Sequence, residues 1–300
     1  MTGRRGFALL AVLWTLTAVT VFTGAALAVT RLGGTTTRNR VLLARAGWAR
    51  EACVEILQAR WASPPDPLSG QGVRTPDRGA GTLMALDSVD LGRGTWCTAT
   101  LEDPSVKLNV NVADRPSLVT VLDAVAPPFA AESLADALLD WRDADAIPRP
   151  LGDESAGNRN GPLADVWELR YVRGFTDSLV GRMTPFLTTR GSGAINVNGA
   201  PTAVLTSLPG TTEESVSLIV MRRASVLIPN ADALAALLSP SARATLFASY
   251  PEFVRSAVFA PPQLVAFVVG GVRGTRLVAR VTLTTVPVAG RLAVIRRETE

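Results

Sequence analysis

The first sixty residues show two hydrophobic patterns in succession. Residues 7–30 contain no charged side chain, and a helix of that length would extend about 36 Å, enough for a tilted membrane span. In the stretch 38–61, apolar residues recur at helical spacing among polar ones. A proline-rich run at 64–67 ends this pattern. The pattern predicts one helix from Phe7 to Trp61 that is apolar first and amphipathic later.

The rest of the chain alternates between strand-like and helical patterns. Residues 62–95 are rich in Gly, Pro, Asp and Ser and predict a loop with a short strand at most, whereas 95–101 predicts a strand. The block 106–248 is mostly helical, and 264–295 returns to β-branched stretches that predict three strands with Gly-Gly and Pro turns. The predicted helices are 117–125, 131–141, 166–172, 177–184, 201–207, 213–224 and 231–238. The order indicates an α+β domain with a large helical insertion.

One internal repeat lies within the helical block. Residues 109–113 are Asn-Val-Asn-Val-Ala, residues 196–200 are Asn-Val-Asn-Gly-Ala, and a leucine follows each copy at Leu118 and Leu205. The period is too long for a solenoid and favours two related modules. In each copy the second asparagine is expected to cap the helix that follows.

Composition and charge narrow the function classes. The 300 residues include no histidine and only two cysteines, which excludes His-based catalytic triads and His-ligated or cysteine-cluster zinc sites. Residues 1–60 carry 8 basic and 2 acidic side chains, whereas 102–170 carry 6 basic and 13 acidic ones. Because the folded middle is acidic, the charge pattern disfavours a nucleic-acid partner.

The N-terminal junction resembles a prepilin leader. Arg4 and Arg5 precede the apolar helix, so the positive-inside rule places the short tail in the cytoplasm and the bulk of the chain outside. Gly6 directly precedes the apolar run, which implies cleavage by a prepilin peptidase between Gly6 and Phe7. The fifth residue after that junction, usually glutamate in pilins, is Ala11. The alternative is an ordinary signal peptide, whose apolar region is normally shorter.

A series of motifs resembles one family, the K-type minor pseudopilins of the type II (general) secretion system. Beside the leader and Ala11, the motifs are Leu-Glu-Asp-Pro-Ser-Val-Lys-Leu-Asn-Val-Asn at 101–111, Leu-Leu-Asp-Trp-Arg-Asp-Ala-Asp at 138–145, Asn-Gly-Pro-Leu at 160–163, Glu-Leu-Arg-Tyr-Val-Arg-Gly-Phe at 168–175, Ile-Asn-Val-Asn-Gly-Ala-Pro at 195–201 and Leu-Pro-Gly at 208–210. The resemblance implies a pilin fold, in which a long N-terminal helix packs on an antiparallel sheet that a large helical domain interrupts.

The resemblance also implies a domain order and a cellular role. The expected segments are a leader (1–6), a transmembrane helix (7–30), a first part of the pilin domain (31–105), an inserted α-helical domain with two helix-hairpin-helix-like modules (106–250) and a second part of the pilin domain (251–300). The implied role is structural: assembly with other minor pseudopilins at the tip of a periplasmic pseudopilus, anchored in the inner membrane, with methylation after processing. At the tip no neighbour lies above, so Ala11 would avoid burying an unpaired carboxylate.

The acidic cluster after the predicted helix 131–141 is a candidate calcium site. Its carboxylates are Asp140, Asp143, Asp145, Asp153 and Glu154. Hard oxygen ligands on a loop suit Ca²⁺, and the family resemblance implies bound calcium in the insertion. The alternative is a solvated acidic loop.

Two further interpretations stay open. Cys53 on the spine helix and Cys97 on the first strand could meet in a pilin fold and form a disulfide, or be two small buried hydrophobic residues. The two modules are also similar to helix-hairpin-helix DNA-binding proteins, including membrane-anchored competence receptors. Glu213 and Glu214 beside the Pro-Gly hairpin would repel phosphate, and Arg222 and Arg223 only partly restore positive charge.

Overall fold

A long helix packed on a five-stranded antiparallel sheet forms the frame of the protein. The computed structural model describes residues 4–62, 81–154 and 157–299. Helix α1 extends over Arg4–Ala62, so the predicted spine helix is continuous. From Leu9 onward its first part is apolar and exposed, and the helix is long and apolar enough to cross a membrane. The second part packs on the sheet through buried residues such as Ala46, Cys53 and Leu57.

The main sheet joins two distant parts of the chain. The strands are β1 (Thr82–Gly92), β2 (Thr95–Glu102), β3 (Leu108–Asn109), β4 (Leu187–Thr188), β5 (Ile195–Asn196), β6 (Ala257–Val258), β7 (Leu264–Val272), β8 (Val278–Val288) and β9 (Arg291–Thr299). The sheet order is β1-β2-β7-β8-β9, and every neighbouring pair is antiparallel. The strand predicted at 95–101 is β2, and it pairs with the C-terminal strand β7, as the pilin fold requires.

Strand β1 is longer than the short strand that the sequence indicated. The register with β2 shifts between Leu86 and Val89, and Ser88 between them has a positive φ of 40°. This bulge interrupts the alternation of inward and outward side chains, which is the signal by which strands are recognised. Residues 63–80, also expected to be loop, lie outside the described residues.

The Gly-Gly pair expected in a turn lies instead inside strand β7, so that prediction is wrong. A Cβ on Gly270 would lie 2.3 Å from the backbone oxygen of Ala46 and 2.3 Å from the backbone nitrogen of Arg50. A Cβ on Gly271 would lie 2.6 Å from the indole ring of Trp96. The missing side chain of Gly270 therefore allows the backbone of helix α1 to approach strand β7 closely, and that of Gly271 makes room for the Trp96 ring.

A helical region lies between β2 and β7, two neighbouring strands of the sheet. Its helices are α2 (Arg115–Asp123), α3 (Ala131–Arg142), α4 (Asp177–Met183), α5 (Thr202–Thr206), α6 (Glu213–Arg223), α7 (Ala231–Leu237), α8 (Pro240–Ala248) and α9 (Tyr250–Ser256), with 3₁₀ turns at Pro104–Val106 and Val166–Tyr171. Helices α8 and α9 were not predicted, because each carries a proline that resembles a helix end. Both prolines lie in the first turn, where the missing N–H costs nothing.

The region has its own hydrophobic core, separate from the core between α1 and the sheet. The core of the helical region contains Leu118, Leu138, Leu205 and Ile219, all fully buried. Two small parallel strand pairs also belong to the region: β3 pairs with β4, and β5 pairs with β6. Separate cores are the expected basis of an inserted domain, although the boundaries at 106 and 250 remain a prediction.

Candidate functional site

The first Asn-Val-Asn copy forms a polar centre in what we call the first module, residues 108–189. The Oδ1 atom of Asn109 accepts a hydrogen bond from the backbone N–H of Asn111 at 2.9 Å, which closes a local turn. The side-chain amide of Asn111 donates to Leu163 O at 2.9 Å and accepts from Leu163 N at 2.8 Å. It also donates to Thr189 O at 3.3 Å, just beyond strand β4. One asparagine thus joins three segments that are far apart in the chain.

The second copy repeats these contacts in the second module, residues 195–259. Asn196 Oδ1 accepts from the backbone N–H of Asn198 at 3.0 Å. The side chain of Asn198 donates to Ile228 O at 2.8 Å, accepts from Ile228 N at 2.9 Å and donates to Phe259 O at 2.9 Å. Because Phe259 lies just beyond strand β6, as Thr189 does beyond β4, the two modules share one hydrogen-bond scheme.

The second asparagine of each copy does not cap the following helix, so that expectation is wrong. The side chain of Asp114 caps α2 by accepting from Ser117 N at 3.0 Å, and α5 follows Pro201 without a side-chain cap. A turn closed by the backbone of Asn109 and Asn196 separates each motif from its helix. That turn directs Asn111 and Asn198 away from the helix ends.

Each module also contains a half-buried arginine whose contact with the motif the sequence did not indicate. Arg142, the last residue of α3, donates to the carbonyl oxygens of Val110 and Ala113. Burial lowers the pKa of the Arg142 guanidinium, and the nearby charge of Arg149 lowers it further. The distance along the chain between motif and arginine differs between the two copies, so a fixed-offset repeat search could not find this residue.

Arg223, the last residue of α6, is the counterpart in the second module. It donates to Val197 O at 3.1 Å and to Ala200 O at 2.7 Å, the carbonyls at the same two motif positions. Burial lowers the pKa of Arg223. The guanidinium therefore binds the module's own backbone and is not presented to an external phosphate.

The hairpin between α5 and α6 is covered as well. Gly210 has a positive φ of 71°, and a Cβ on it would lie 3.1 Å from the carbonyl oxygen of Thr245 and 3.2 Å from the Cα of Leu246 in helix α8. Glu214 on the first turn of α6 accepts a hydrogen bond from the Ser239 hydroxyl at 2.9 Å. A helix-hairpin-helix DNA site needs exposed glycine-rich amides, and here the hairpin packs against the protein.

The modules differ in how their first asparagine is held. The amide of Asn109 donates to Gly191 O at 2.8 Å, in the segment that connects the modules. The amide of Asn196 donates to Asp103 Oδ2 at 2.7 Å. Asp103 is only 2% exposed and immediately follows strand β2, and its other oxygen accepts from the backbone N–H of Ser105 at 2.9 Å. The second module is thus attached to the point where the chain leaves the sheet.

Three of the five predicted metal-binding carboxylates come together at the end of α3. Carboxylate oxygens of Asp140, Asp143 and Glu154 lie within 4.8 Å of one another, and we call these three residues the acidic cluster. Asp140 is fully buried. The other two candidates lie apart: the exposed Asp145 accepts from the backbone N–H of Ile147 at 2.9 Å, and Asp153 faces the Arg173 guanidinium at 3.9 Å.

Arg149 partly neutralises the acidic cluster. Its Nη1 atom lies 2.6 Å from Asp140 Oδ1 and 2.5 Å from Asp143 Oδ2, and its backbone N–H donates to Asp140 Oδ2 at 3.1 Å. The hydrogen bond to Asp143 is the main reason why the pKa of Arg149 is raised. Gly152 approaches so closely that a Cβ on it would lie 1.8 Å from Asp140 Oδ2.

Two oxygens of the acidic cluster have no partner among the residues that the structure describes. They are Asp143 Oδ1 and Glu154 Oε1, and both are buried. A buried carboxylate oxygen without a hydrogen-bond donor is costly, and a cation beside it would remove that cost. Oxygen ligands at the end of a helix are of the type that Ca²⁺ prefers, so the donor set fits this ion.

The cysteines and the predicted processing site lie on helix α1 and strand β2. Cys53 and Cys97 are joined by a disulfide, with their Cα atoms 6.0 Å apart, and both residues are fully buried. Gly6 and Phe7 belong to the first turns of α1, where the structure describes the backbone and not the side chains. Residues 1–3 of the expected leader lie outside the described residues.

Comparison with known proteins adds two findings. Residues 107–191 match the family described as "Type II secretion system (T2SS), protein K". The chain is similar in fold to a chain of the GspK-GspI-GspJ complex from the type 2 secretion system of enterotoxigenic Escherichia coli. The TM-score is 0.57 and the identity 16%, over 90% of this chain and 99% of that one. No curated protein sequence matches the chain. The family match agrees with the resemblance drawn from the motifs over residues 107–191, and the structural match confirms the expected fold.

Proposed function

We infer that this chain, whose residues 107–191 form a protein K domain of the type II secretion system, is a minor pseudopilin of that system. The observation that carries the inference is the match of this family to the first module, in a chain that also has the long helix and antiparallel sheet of the pilin fold. A role as a structural subunit follows, since its side chains are used in packing and internal hydrogen bonds.

The partners that we propose are other minor pseudopilins. The solved protein of similar fold was crystallised with GspI and GspJ, so the corresponding pseudopilins of this system are the expected neighbours at the tip of a pseudopilus. Ala11 supports the tip position, because a subunit with no neighbour above gains nothing from a buried carboxylate.

Co-purification tests this function. The full-length chain, tagged at its C terminus and extracted in detergent, should elute as a complex when it is co-expressed with the other minor pseudopilins of its own secretion system. A matched control replaces one of those pseudopilins with the major pseudopilin. Elution of the chain alone from both co-expressions would contradict the proposal.

DNA binding is the second function that the sequence left open, and the geometry argues against it. Arg223 binds backbone carbonyls and Gly210 packs against α8, so neither is available to a phosphate. We expect no retardation of duplex DNA by the detergent-solubilised chain at physiological salt. Retardation that Arg222→Gln abolishes would favour the DNA-binding function instead.

We also propose processing and anchoring of the pilin type. A prepilin peptidase would cut between Gly6 and Phe7, and α1 would then hold the protein in the inner membrane with its bulk outside the cytoplasm. The exposed apolar part of α1 and the arginines before it support this proposal. N-terminal sequencing of membrane-extracted protein should begin at Phe7. A start at or beyond Leu27 would indicate an ordinary signal peptide.

Calcium binding at the acidic cluster completes the proposal. Asp140, Asp143 and Glu154 would hold the ion, and its charge would offset the mutual repulsion of three carboxylates. In millimolar calcium, with a dissociation constant of ~10⁻⁴–10⁻³ M, binding contributes ~0.4–1.4 kcal/mol to stability. For a protein of this size, that should raise the Tm by a few degrees.

Thermal unfolding of the solubilised chain in chelator and in millimolar calcium is the test. Asp143→Asn should abolish the shift in Tm, whereas Asp145→Asn, which changes an exposed carboxylate outside the acidic cluster, should preserve it. An unchanged Tm in the unsubstituted protein would refute calcium binding.

A further inference from the structure

We propose that Arg149 is a built-in competitor for the cation at the acidic cluster and that it sets how tightly calcium binds there. This inference rests on the calcium site proposed above. Arg149 places one guanidinium nitrogen between Asp140 Oδ1 and Asp143 Oδ2, at 2.6 Å and 2.5 Å. Short charge-assisted hydrogen bonds are stronger than neutral ones, so the Arg149 guanidinium can compete with a cation for these two oxygens.

The coordination demand of calcium makes the two cations compete. Ca²⁺ takes 6–8 oxygen ligands, whereas the acidic cluster has two buried oxygens without a partner, Asp143 Oδ1 and Glu154 Oε1. Of the four other carboxylate oxygens, three accept hydrogen bonds from Arg149, and Glu154 Oε2 accepts one from Asn158. Further ligands from the acidic cluster therefore come mainly from oxygens that Arg149 now holds. A guanidinium left beside the ion would also repel it, because both carry positive charge.

The geometry allows the guanidinium to leave without unfolding the loop. The Arg149 side chain is 34% exposed, and it lies between Pro148 and Pro150 on the loop after α3. Its backbone N–H holds Asp140 Oδ2 independently, at 3.1 Å. The side chain can therefore turn toward solvent while the backbone keeps the loop against the acidic cluster.

Charge arithmetic gives Arg149 a role in the metal-free protein. Three carboxylates and one arginine leave a net charge of about −2 at the metal-free acidic cluster, and a divalent ion that displaces the arginine would leave about −1. Without the arginine, the metal-free site would have to hold three carboxylates together, at a high electrostatic cost. Arg149 thus keeps the loop ordered before calcium arrives and lowers the affinity when it does.

Isothermal titration of the full-length, detergent-solubilised chain with calcium chloride tests the proposal. The unsubstituted protein should bind weakly, in the ~10⁻⁴–10⁻³ M range of extracellular calcium modules. Arg149→Gln should bind at least about tenfold more tightly, because two charge-assisted hydrogen bonds no longer compete. Arg149→Lys should lie between the two, since it keeps the charge and loses the planar fork.

Arg173→Gln is the matched control. Arg173, which follows the 3₁₀ turn Val166–Tyr171, lies 3.9 Å from Asp153 and has no hydrogen bond to the acidic cluster among the bonds that the described residues form. We expect its removal to change the calcium affinity less than threefold. An equal gain from Arg173→Gln and Arg149→Gln would show that only the overall charge matters, and it would overturn direct competition.

The remaining outcomes separate this proposal from the calcium site itself. If the unsubstituted protein binds calcium and Arg149→Gln binds it no more tightly, Arg149 is not a competitor, although the site stands. If only Arg149→Gln binds calcium, the competition holds and the arginine has replaced the ion in this protein. If neither binds, both the site and the competition are refuted.

Discussion

The two modules of the helical region have the same polar interior and different surroundings. In both, one asparagine joins three segments and one arginine at a helix end binds two motif carbonyls. The first module then continues into the acidic loop, whereas the second is tied to the sheet through Asp103. The hydrogen-bond scheme is therefore the unit that recurs within this chain, and the two copies differ in the segments to which they are attached.

The largest expected effect comes from the two arginines. Arg142→Ala and Arg223→Ala each remove a charged donor from two carbonyls, and we expect a loss of about 3 kcal/mol in the free energy of unfolding for each. Urea unfolding of the solubilised chain measures it. Arg222→Ala, adjacent to Arg223 and exposed, should cost less than about 0.5 kcal/mol. A large loss of stability for one substitution and a negligible loss for the other would show that the two modules are not energetically equivalent.

The first asparagines should separate the modules. Asn196→Ala leaves the buried Asp103 carboxylate without one of its donors, and we expect a loss of about 2 kcal/mol. Asn109→Ala removes bonds to neutral backbone carbonyls and should cost about 1 kcal/mol. The same urea experiment compares them. Equal losses would mean that the link to the sheet adds nothing to the second module.

The hairpin tips should give the smallest effects. Gly210 and Phe129 both have positive φ, 71° and 64°, one in each interhelical hairpin. Gly210→Ala should cost about 1–2 kcal/mol through left-handed strain and contact with α8. Phe129→Gly should change stability by less than about 0.5 kcal/mol, since relieved strain offsets the greater unfolded-chain entropy of glycine. A loss above 1 kcal/mol for Phe129→Gly would show that this exposed aromatic ring contributes packing.

Much of the architecture was predictable because it depends on local pattern. The spine helix, strand β2, the three C-terminal strands and six of the eight helices from α2 to α9 follow from periodicity, charge and turn residues. Helices α8 and α9 were missed because a proline in a first turn has the same appearance as one that ends a helix. Strand β1 was underestimated because its bulge at Ser88 breaks the alternation.

The polar contacts were predicted less well, since residue type does not determine a partner. The Asn-Val-Asn repeat was visible, yet the partners of Asn111 and Asn198 lie on segments far along the chain and could not be read from the motif. The acidic residues 140–154 were visible too, yet the pattern did not show that Asp145 lies outside the acidic cluster or that Arg149 lies within it.

Local sequence patterns were sufficient for the membrane-length helix, for the succession of a helix, a strand, a helical region and three strands, and for the family that the motifs resemble. These properties reside in short-range spacing, which each segment carries with it. The packed structure was needed to show that α1 contacts strand β7 at Gly270, that Arg142 and Arg223 are equivalent, and that Arg149 binds the oxygens a calcium ion would use. Such pairings depend on which segments the packed core brings within 3 Å, and burial gives each of them its energetic weight.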